Sequence, residues 1–104
     1  MSRIRTVVQL TSKTTAVTCN AYDSVIQTVN LTDAADTSFQ FVVNNSVIQD
    51  VSAILLSPEY AGTTGVPNVR LVSYVRGAMT VRVSNIGTGV FNSFVRIHFK
   101  ITHN

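Results

Sequence analysis

The chain has one cysteine, no tryptophan and few charged residues, and each of these shortages excludes a class of protein. The single Cys19 cannot form a disulfide within the chain, and no group of Cys and His residues has the spacing of a metal site. No apolar run approaches the ~18 residues that cross a membrane, and the start of the chain lacks the apolar stretch of a signal peptide. We therefore expect synthesis in a cytosol, with no metal, no cofactor and no membrane contact, and a Cys19 that fills space in a core.

Charge is scarce, whereas apolar residues are plentiful. Charged residues make up 12% of the chain, about half the usual share of a soluble domain. Apolar residues make up 45% and occur along the whole length, which excludes a disordered protein. A length of 104 residues fits one domain, 1–104, with a short N-terminal arm at 1–5. So little charge predicts that part of the surface is covered by further copies or by a partner.

Short runs of Val, Ile, Thr and Phe recur between turn residues, and no segment has a sustained helical period. This spacing is typical of a β-sandwich or a barrel. Eight runs are predicted as strands: Arg5–Thr11, Thr15–Asn20, Ser24–Thr32, Thr37–Val43, Asp50–Ser57, Asn68–Arg76, Met79–Asn85 and Ser93–Thr102.

The two parts of the chain differ in charge. Residues 1–65 contain three basic and five acidic side chains, whereas residues 66–104 contain five basic side chains and no acidic one. Arg82, Arg96 and Lys100 alternate with apolar residues, which places each of them on the polar face of its strand. If the last two strands are neighbours in suitable register, these three cations form one basic face.

The longest irregular stretch runs from Ser57 to Asn68 and contains both prolines and Tyr60. Loops of this length tend to be functional or mobile, so the stretch is a candidate contact loop. A plain surface connection between two strands is equally compatible with its composition.

Catalysis and nucleic-acid binding find little support in the sequence. The two histidines, His98 and His103, lie near the C-terminus, and no recognisable motif places a nucleophile and a base beside either of them. Stacking of single-stranded bases needs exposed aromatic side chains, but Phe39, Phe41 and Phe99 occupy apolar positions of their strands. We expect a protein that is not an enzyme and does not bind nucleic acid.

Three segments resemble a group of small β-sandwich proteins encoded by tailed bacteriophages. They are Gln9 to Asn20 (QLTSKTTAVTCN), Ser38 to Ser46 (SFQFVVNNS) and Val95 to Phe99 (VRIHF). Proteins of this group serve as capsid decoration (cement) proteins and as head-fibre or tail-fibre domains, commonly as jelly-roll trimers. The resemblance implies an all-β, eight-stranded antiparallel β-sandwich of jelly-roll type.

The function implied by the resemblance is structural. A homotrimer would bind the major capsid protein on the outside of a bacteriophage capsid and stabilise the shell, which places it in the virion. The residues predicted to contact the partner are Arg3, Arg5, Arg82, Arg96, Lys100 and Tyr60. The alternative is a receptor- or carbohydrate-binding module of a head fibre or tail fibre. With tryptophan absent, a sugar site would depend on Tyr22, Tyr60, Tyr74 and Phe91.

Overall fold

A computed structural model describes residues 6–50 and 52–103, and these residues form eight β-strands and no helix. The strands are β1 (Thr6–Val8), β2 (Val17–Thr18), β3 (Asp23–Gln27), β4 (Ser38–Asn44), β5 (Ser52–Tyr60), β6 (Pro67–Val75), β7 (Ala78–Asn85) and β8 (Val95–His103). Each predicted run overlaps one of these strands, so the all-β prediction is confirmed. In the described residues there is no helix long and apolar enough to cross a membrane.

The strands form two four-stranded sheets that pack against each other around one core. Sheet A has the order β1-β3-β8-β5, and sheet B has the order β2-β4-β7-β6. Alternate side chains of each strand point into the space between the sheets, where a fully buried Val, Ile or Phe contributes about 1.5–3 kcal/mol. The fully buried core side chains include Ile26, Val43, Ile48, Val81, Val83, Phe91, Val95 and Ile97. Cys19 is buried in the same core, as predicted.

The expected purely antiparallel arrangement is wrong, because each sheet contains one parallel pair. β1 runs parallel to β3, and β2 runs parallel to β4. The first four strands alternate between the two sheets, so β1 and β3 meet in sheet A and β2 and β4 meet in sheet B. Alternation of apolar and polar residues predicts which face a side chain occupies, but it does not predict which strand lies alongside.

The predicted twelve-residue loop is also shorter in the structure. β5 extends through Pro58 to Tyr60, and β6 begins at Pro67, so the connection comprises residues 61–66. Proline is common in loops, but it is also compatible with an edge strand and with the first position of a strand. Both β5 and β6 are edge strands, and Pro67 is the first residue of β6.

A β-bulge explains the irregular pattern of the sixth run. The pairing of β6 with β7 shifts between Leu71 and Ser73, which leaves Val72 as the extra residue. Leu71 and Tyr74 therefore both pack against the core despite their odd spacing. The strand continues into a tight turn at Arg76 and Gly77, where a positive φ of 87° favours glycine.

Candidate binding surfaces

The outer face of sheet A carries Arg96 and His98, and both contact Glu59. Arg96 and Glu59 lie opposite each other on β8 and β5, with 3.8 Å between Nη1 and Oε2. His98 Nε2 lies 2.8 Å from Glu59 Oε1, in a hydrogen bond in which the ring N–H donates. This hydrogen bond, together with the charge of Arg96, holds the pKa of Glu59 below its ordinary value. Arg96 also donates to Gln27 and stacks over Phe94, so its position is set by contacts within the chain.

The remaining cation of this face also lies beside an acidic residue. Lys100 is opposite Asp23 of β3 and opposite Leu55 of β5. The two acids Asp23 and Glu59 thus balance Arg96 and Lys100 across the four strands. Counting these four residues, the charges on the outer face of sheet A cancel.

The outer face of sheet B differs, because its described strands contain no acidic residue. Arg70 and Arg82 lie directly opposite each other on β6 and β7. Arg82 Nη2 donates a hydrogen bond of 3.0 Å to Gln40 Oε1 on the neighbouring β4. The adjacent rows supply uncharged side chains: Ser38, Ser84 and Asn68 on one side, and Val42, Thr80 and Ser73 on the other.

The structure separates the residues that were predicted to form one basic face. β7 belongs to sheet B and β8 to sheet A, so Arg82 points to the opposite side of the sandwich from Arg96 and Lys100. Arg3 and Arg5 lie outside the described residues. The predicted set also lacked Arg70, since the bulge after Leu71 obscured the alternation of its strand. The absence of acidic residues from 66–104, which include Arg70, was the signal that could have identified it.

Tyr60 is half-buried and links segments at one end of the sandwich. Its hydroxyl donates to the carbonyl of Thr64 at 2.6 Å and accepts from the backbone N–H of Asn92 at 2.7 Å. Its ring packs against Phe91, with 5.2 Å between the ring centroids. The Asn92 side chain bonds to Thr63 through both its oxygen and its nitrogen. Tyr60 therefore joins the β5–β6 connection to the segment that precedes β8.

The buried side chain of Asn85 also links backbone segments at this end of the sandwich. Its side-chain oxygen accepts from the N–H groups of Val66 and Gly87 at 3.2 and 3.1 Å. Its side-chain nitrogen donates to the carbonyls of Asp33 and Gly89 at 3.1 and 2.8 Å. One amide thus links three connecting segments, and every hydrogen-bonding position of the side chain is used.

Three aliphatic side chains project from this end of the molecule. Val66, Ile86 and Val90 are 48%, 58% and 49% exposed. Hydrogen bonds join the segments that carry them, because the Ile86 N–H donates to the Val66 carbonyl and the Thr64 hydroxyl donates to the Val90 carbonyl. Gly87 packs so tightly on Val66 that a Cβ atom would lie 2.9 Å from the Val66 nitrogen. We call the segments 61–66 and 86–94 together the loop end; neither contains a charged residue.

Metal binding finds no support among the described side chains. Among them there is no group of three or more His, Cys, Asp and Glu residues that could hold a metal ion. Comparisons with protein-family models, with curated proteins and with solved structures find no match to the chain. A function is therefore best argued from the surfaces themselves.

Proposed function

We propose that the protein is a structural component of a tailed-bacteriophage particle. A homotrimer binds the major capsid protein on the outer surface of the capsid and stabilises the shell as a cement or decoration module. The segments near Gln9, Ser38 and Val95 resemble phage β-sandwich proteins, which supports a place in a phage particle. The exposed loop end supports association with other subunits. The single observation that carries the proposal is this uncharged loop end with its three exposed aliphatic side chains.

The loop end has the properties of a contact surface. Burying a fully exposed aliphatic side chain in a contact contributes about 1.5–3 kcal/mol to the free energy of binding. Val66, Ile86 and Val90 are about half exposed, so each would contribute proportionately less. Because Asn85 and Tyr60 already fix both segments, little conformational entropy is lost when a partner covers them.

The partner that best fits the loop end is a second copy of the chain. The net charge of +3 makes copies repel each other wherever their charged surfaces meet. The loop end contains no basic residue, and the exposed Asp36 lies beside it, with its N–H bonded to the Asn85 carbonyl, so copies can approach there at a lower cost. Closed rings of identical subunits bury such a patch in a repeating contact, and a trimer is the state that the resemblance implies.

Self-association is tested with one matched pair of variants. Light scattering of the native protein at micromolar concentration should give three times the chain mass of 11.3 kDa. Ile86→Lys should reduce the mass to that of one chain, because it places a charge in the contact. Leu55→Lys is the control, since Leu55 is similarly exposed, at 65%, on the outer face of sheet A. A native protein that is monomeric, or an Ile86→Lys variant that remains trimeric, would remove the loop end as the contact.

The role in the particle is tested by the copy number of the protein in purified virions. Hundreds of copies per particle are expected for a decoration protein, whereas a few tens would indicate a fibre or tail part. A protein absent from virions would refute the proposal.

The fibre alternative is less well supported by the aromatic residues. Phe91 is buried, and the hydroxyls of Tyr60 and Tyr74 form hydrogen bonds within the chain. Of the four aromatic residues considered for a sugar site, Tyr22 is the one that is largely exposed. Carbohydrate sites usually need at least one such ring on the sugar face, and a single tyrosine at 53% exposure is a small platform.

A jelly-roll type of connectivity remains part of the proposal. The division of eight strands into two sheets of four supports it. The parallel β1–β3 and β2–β4 pairs count against it, since jelly rolls belong to the antiparallel architectures.

A further inference from the structure

Arg70 and Arg82 differ from the other cations of the described chain. Lys13, Arg76 and Arg96 each form an ion pair within the fold, at 2.7, 3.1 and 3.8 Å respectively, and Lys100 lies opposite Asp23. Among the described lysines and arginines, Arg70, Arg82 and Lys100 form no ion pair, and of these three the two arginines also lack an acidic residue opposite them in their sheet.

This arrangement is unfavourable for the isolated protein. Directly opposed residues of an antiparallel pair have Cβ atoms about 5 Å apart, and like charges at such positions destabilise a sheet. The Gln40 oxygen accepts one hydrogen bond from Arg82 but carries no charge to offset the repulsion. Two guanidinium groups therefore stand side by side on a sheet face that has no acid to neutralise them.

We propose that the outer face of sheet B binds a cluster of carboxylates on the surface of another protein, through Arg70 and Arg82. A guanidinium group binds a carboxylate through two parallel hydrogen bonds, which gives both affinity and orientation. Ser38, Ser84 and Asn68 border the pair and supply uncharged hydrogen-bonding groups. The inference rests on the proposed function, because it names the face that meets the capsid shell, in place of Arg96 and Lys100.

Protein carboxylates fit this face better than nucleic acid does. The outward-pointing residues of sheet B include no aromatic side chain on which a base could stack. Two arginines also span only a short part of a phosphate backbone, and they have a fixed spacing set by the strand register. A small group of acidic side chains matches both the number and the placement of the cations.

The first experiment tests the face with a simple acidic probe, a peptide of eight glutamates. Its binding to isotope-labelled protein is followed by NMR at low salt, through the Nε–H signals of the arginines. The signals of Arg70 and Arg82 should shift, whereas those of Arg76 and Arg96 should not. The double variant Arg70→Gln, Arg82→Gln should weaken binding by at least about tenfold, since hydrogen bonds between charged groups are roughly twice as strong as neutral ones.

A matched control removes the same net charge elsewhere. The double variant Arg76→Gln, Arg96→Gln should retain binding within about twofold, because both arginines already have acidic partners. The thermal midpoint of the Arg70→Gln, Arg82→Gln variant should equal or exceed that of the native protein, which shows that its weaker binding is not caused by unfolding. Equal weakening by both double variants would overturn the assignment of the binding face to sheet B. If an oligothymidine with eight phosphates bound the same arginines more tightly than octaglutamate, the proposal of a protein partner would be overturned.

A second experiment tests the sheet B binding face and the proposed capsid role independently of each other. Phage particles that lack the protein are mixed with the native chain or with either double variant, and binding is measured by co-sedimentation. Rebinding of the native chain but not of Arg70→Gln, Arg82→Gln supports both proposals. Rebinding of all three proteins would show that Arg70 and Arg82 do not form the binding face, but it would leave the capsid role intact. Failure of the native chain to bind particles, with octaglutamate binding intact, would overturn the capsid role and leave the face intact.

Discussion

Glu59 is the residue whose ionisation depends most clearly on its neighbours. The carboxylate accepts a hydrogen bond from His98 and lies near Arg96, and both contacts favour its charged form. Because the folded protein holds the pKa of Glu59 below its unfolded value, this contact stabilises the fold above the unfolded pKa. The contribution is lost as the pH falls through the lower, folded pKa.

We predict that His98→Leu raises the pKa of Glu59 back toward its ordinary value of 4.5, because it removes the largest of the lowering contacts. Arg96→Gln should raise the pKa by less, since its electrostatic effect is smaller than the His98 hydrogen bond. The measurement is a carbon NMR titration of the Glu59 carboxyl group. Thr102→Leu is the control, because Thr102 lies on the same strand opposite Ala53. A pKa that is unchanged in His98→Leu would show that the hydrogen bond is absent in solution.

The two long edge strands, β5 and β6, each contain a feature that limits pairing with strands of other chains. β5 contains Pro58, which has no N–H group and lies opposite Ile97 in the ladder. β6 contains the bulge at Val72, which interrupts a continuous edge. Because both strands have nine residues, an unmodified edge of this length would be a template for sheet extension.

We predict that Pro58→Thr increases concentration-dependent aggregation, because it adds a backbone donor to the exposed edge of sheet A. The folded structure should persist, since the ladder between β5 and β8 does not use a donor at this position. Static light scattering over rising protein concentration measures the effect. Ser57→Thr, one position earlier on the same strand, adds a similar side chain without a new backbone donor and should behave like the native protein. Equal aggregation of both variants would contradict the role of the proline.

The whole molecule depends on one core that both sheets line, and Cys19 is the single thiol within it. Cys19 is 5% exposed and donates its backbone N–H to the carbonyl of Asn44. A reagent can reach the thiol only when the sandwich opens. Its reactivity therefore reports how often the fold opens around it, either locally at the β2 edge or across the whole domain.

We predict that thiol labelling of native Cys19 is slower than in denaturant by at least about a thousandfold, given the usual stability of 5–15 kcal/mol for a folded domain. A Cys19→Ala variant that carries Ser46→Cys provides the exposed control, because Ser46 lies on the surface, and it should label rapidly in both conditions. Rapid labelling of native Cys19 would mean that the β2 edge opens locally.

Much of the fold could be read from local pattern. Period-2 alternation predicted the eight strands and the buried side of Cys19, because the burial of a strand's inner face leaves a direct trace in the order of its residues. The acid-free stretch after Val66 likewise marked the strands from which Arg82 and Arg96 come.

The arrangement of those strands was decided by tertiary structure. Which strands lie side by side depends on contacts between residues far apart in the chain, such as Ile26 with Ile97, and no local pattern encodes them. This pairing sends Arg82 to one face and Arg96 to the other, gives Arg96 a partner in Glu59, and leaves Arg70 facing Arg82. The sequence determines which residues are charged and which are buried, whereas the pairing of the sheets determines which charges are neutralised, because neutralisation requires that two side chains meet in space.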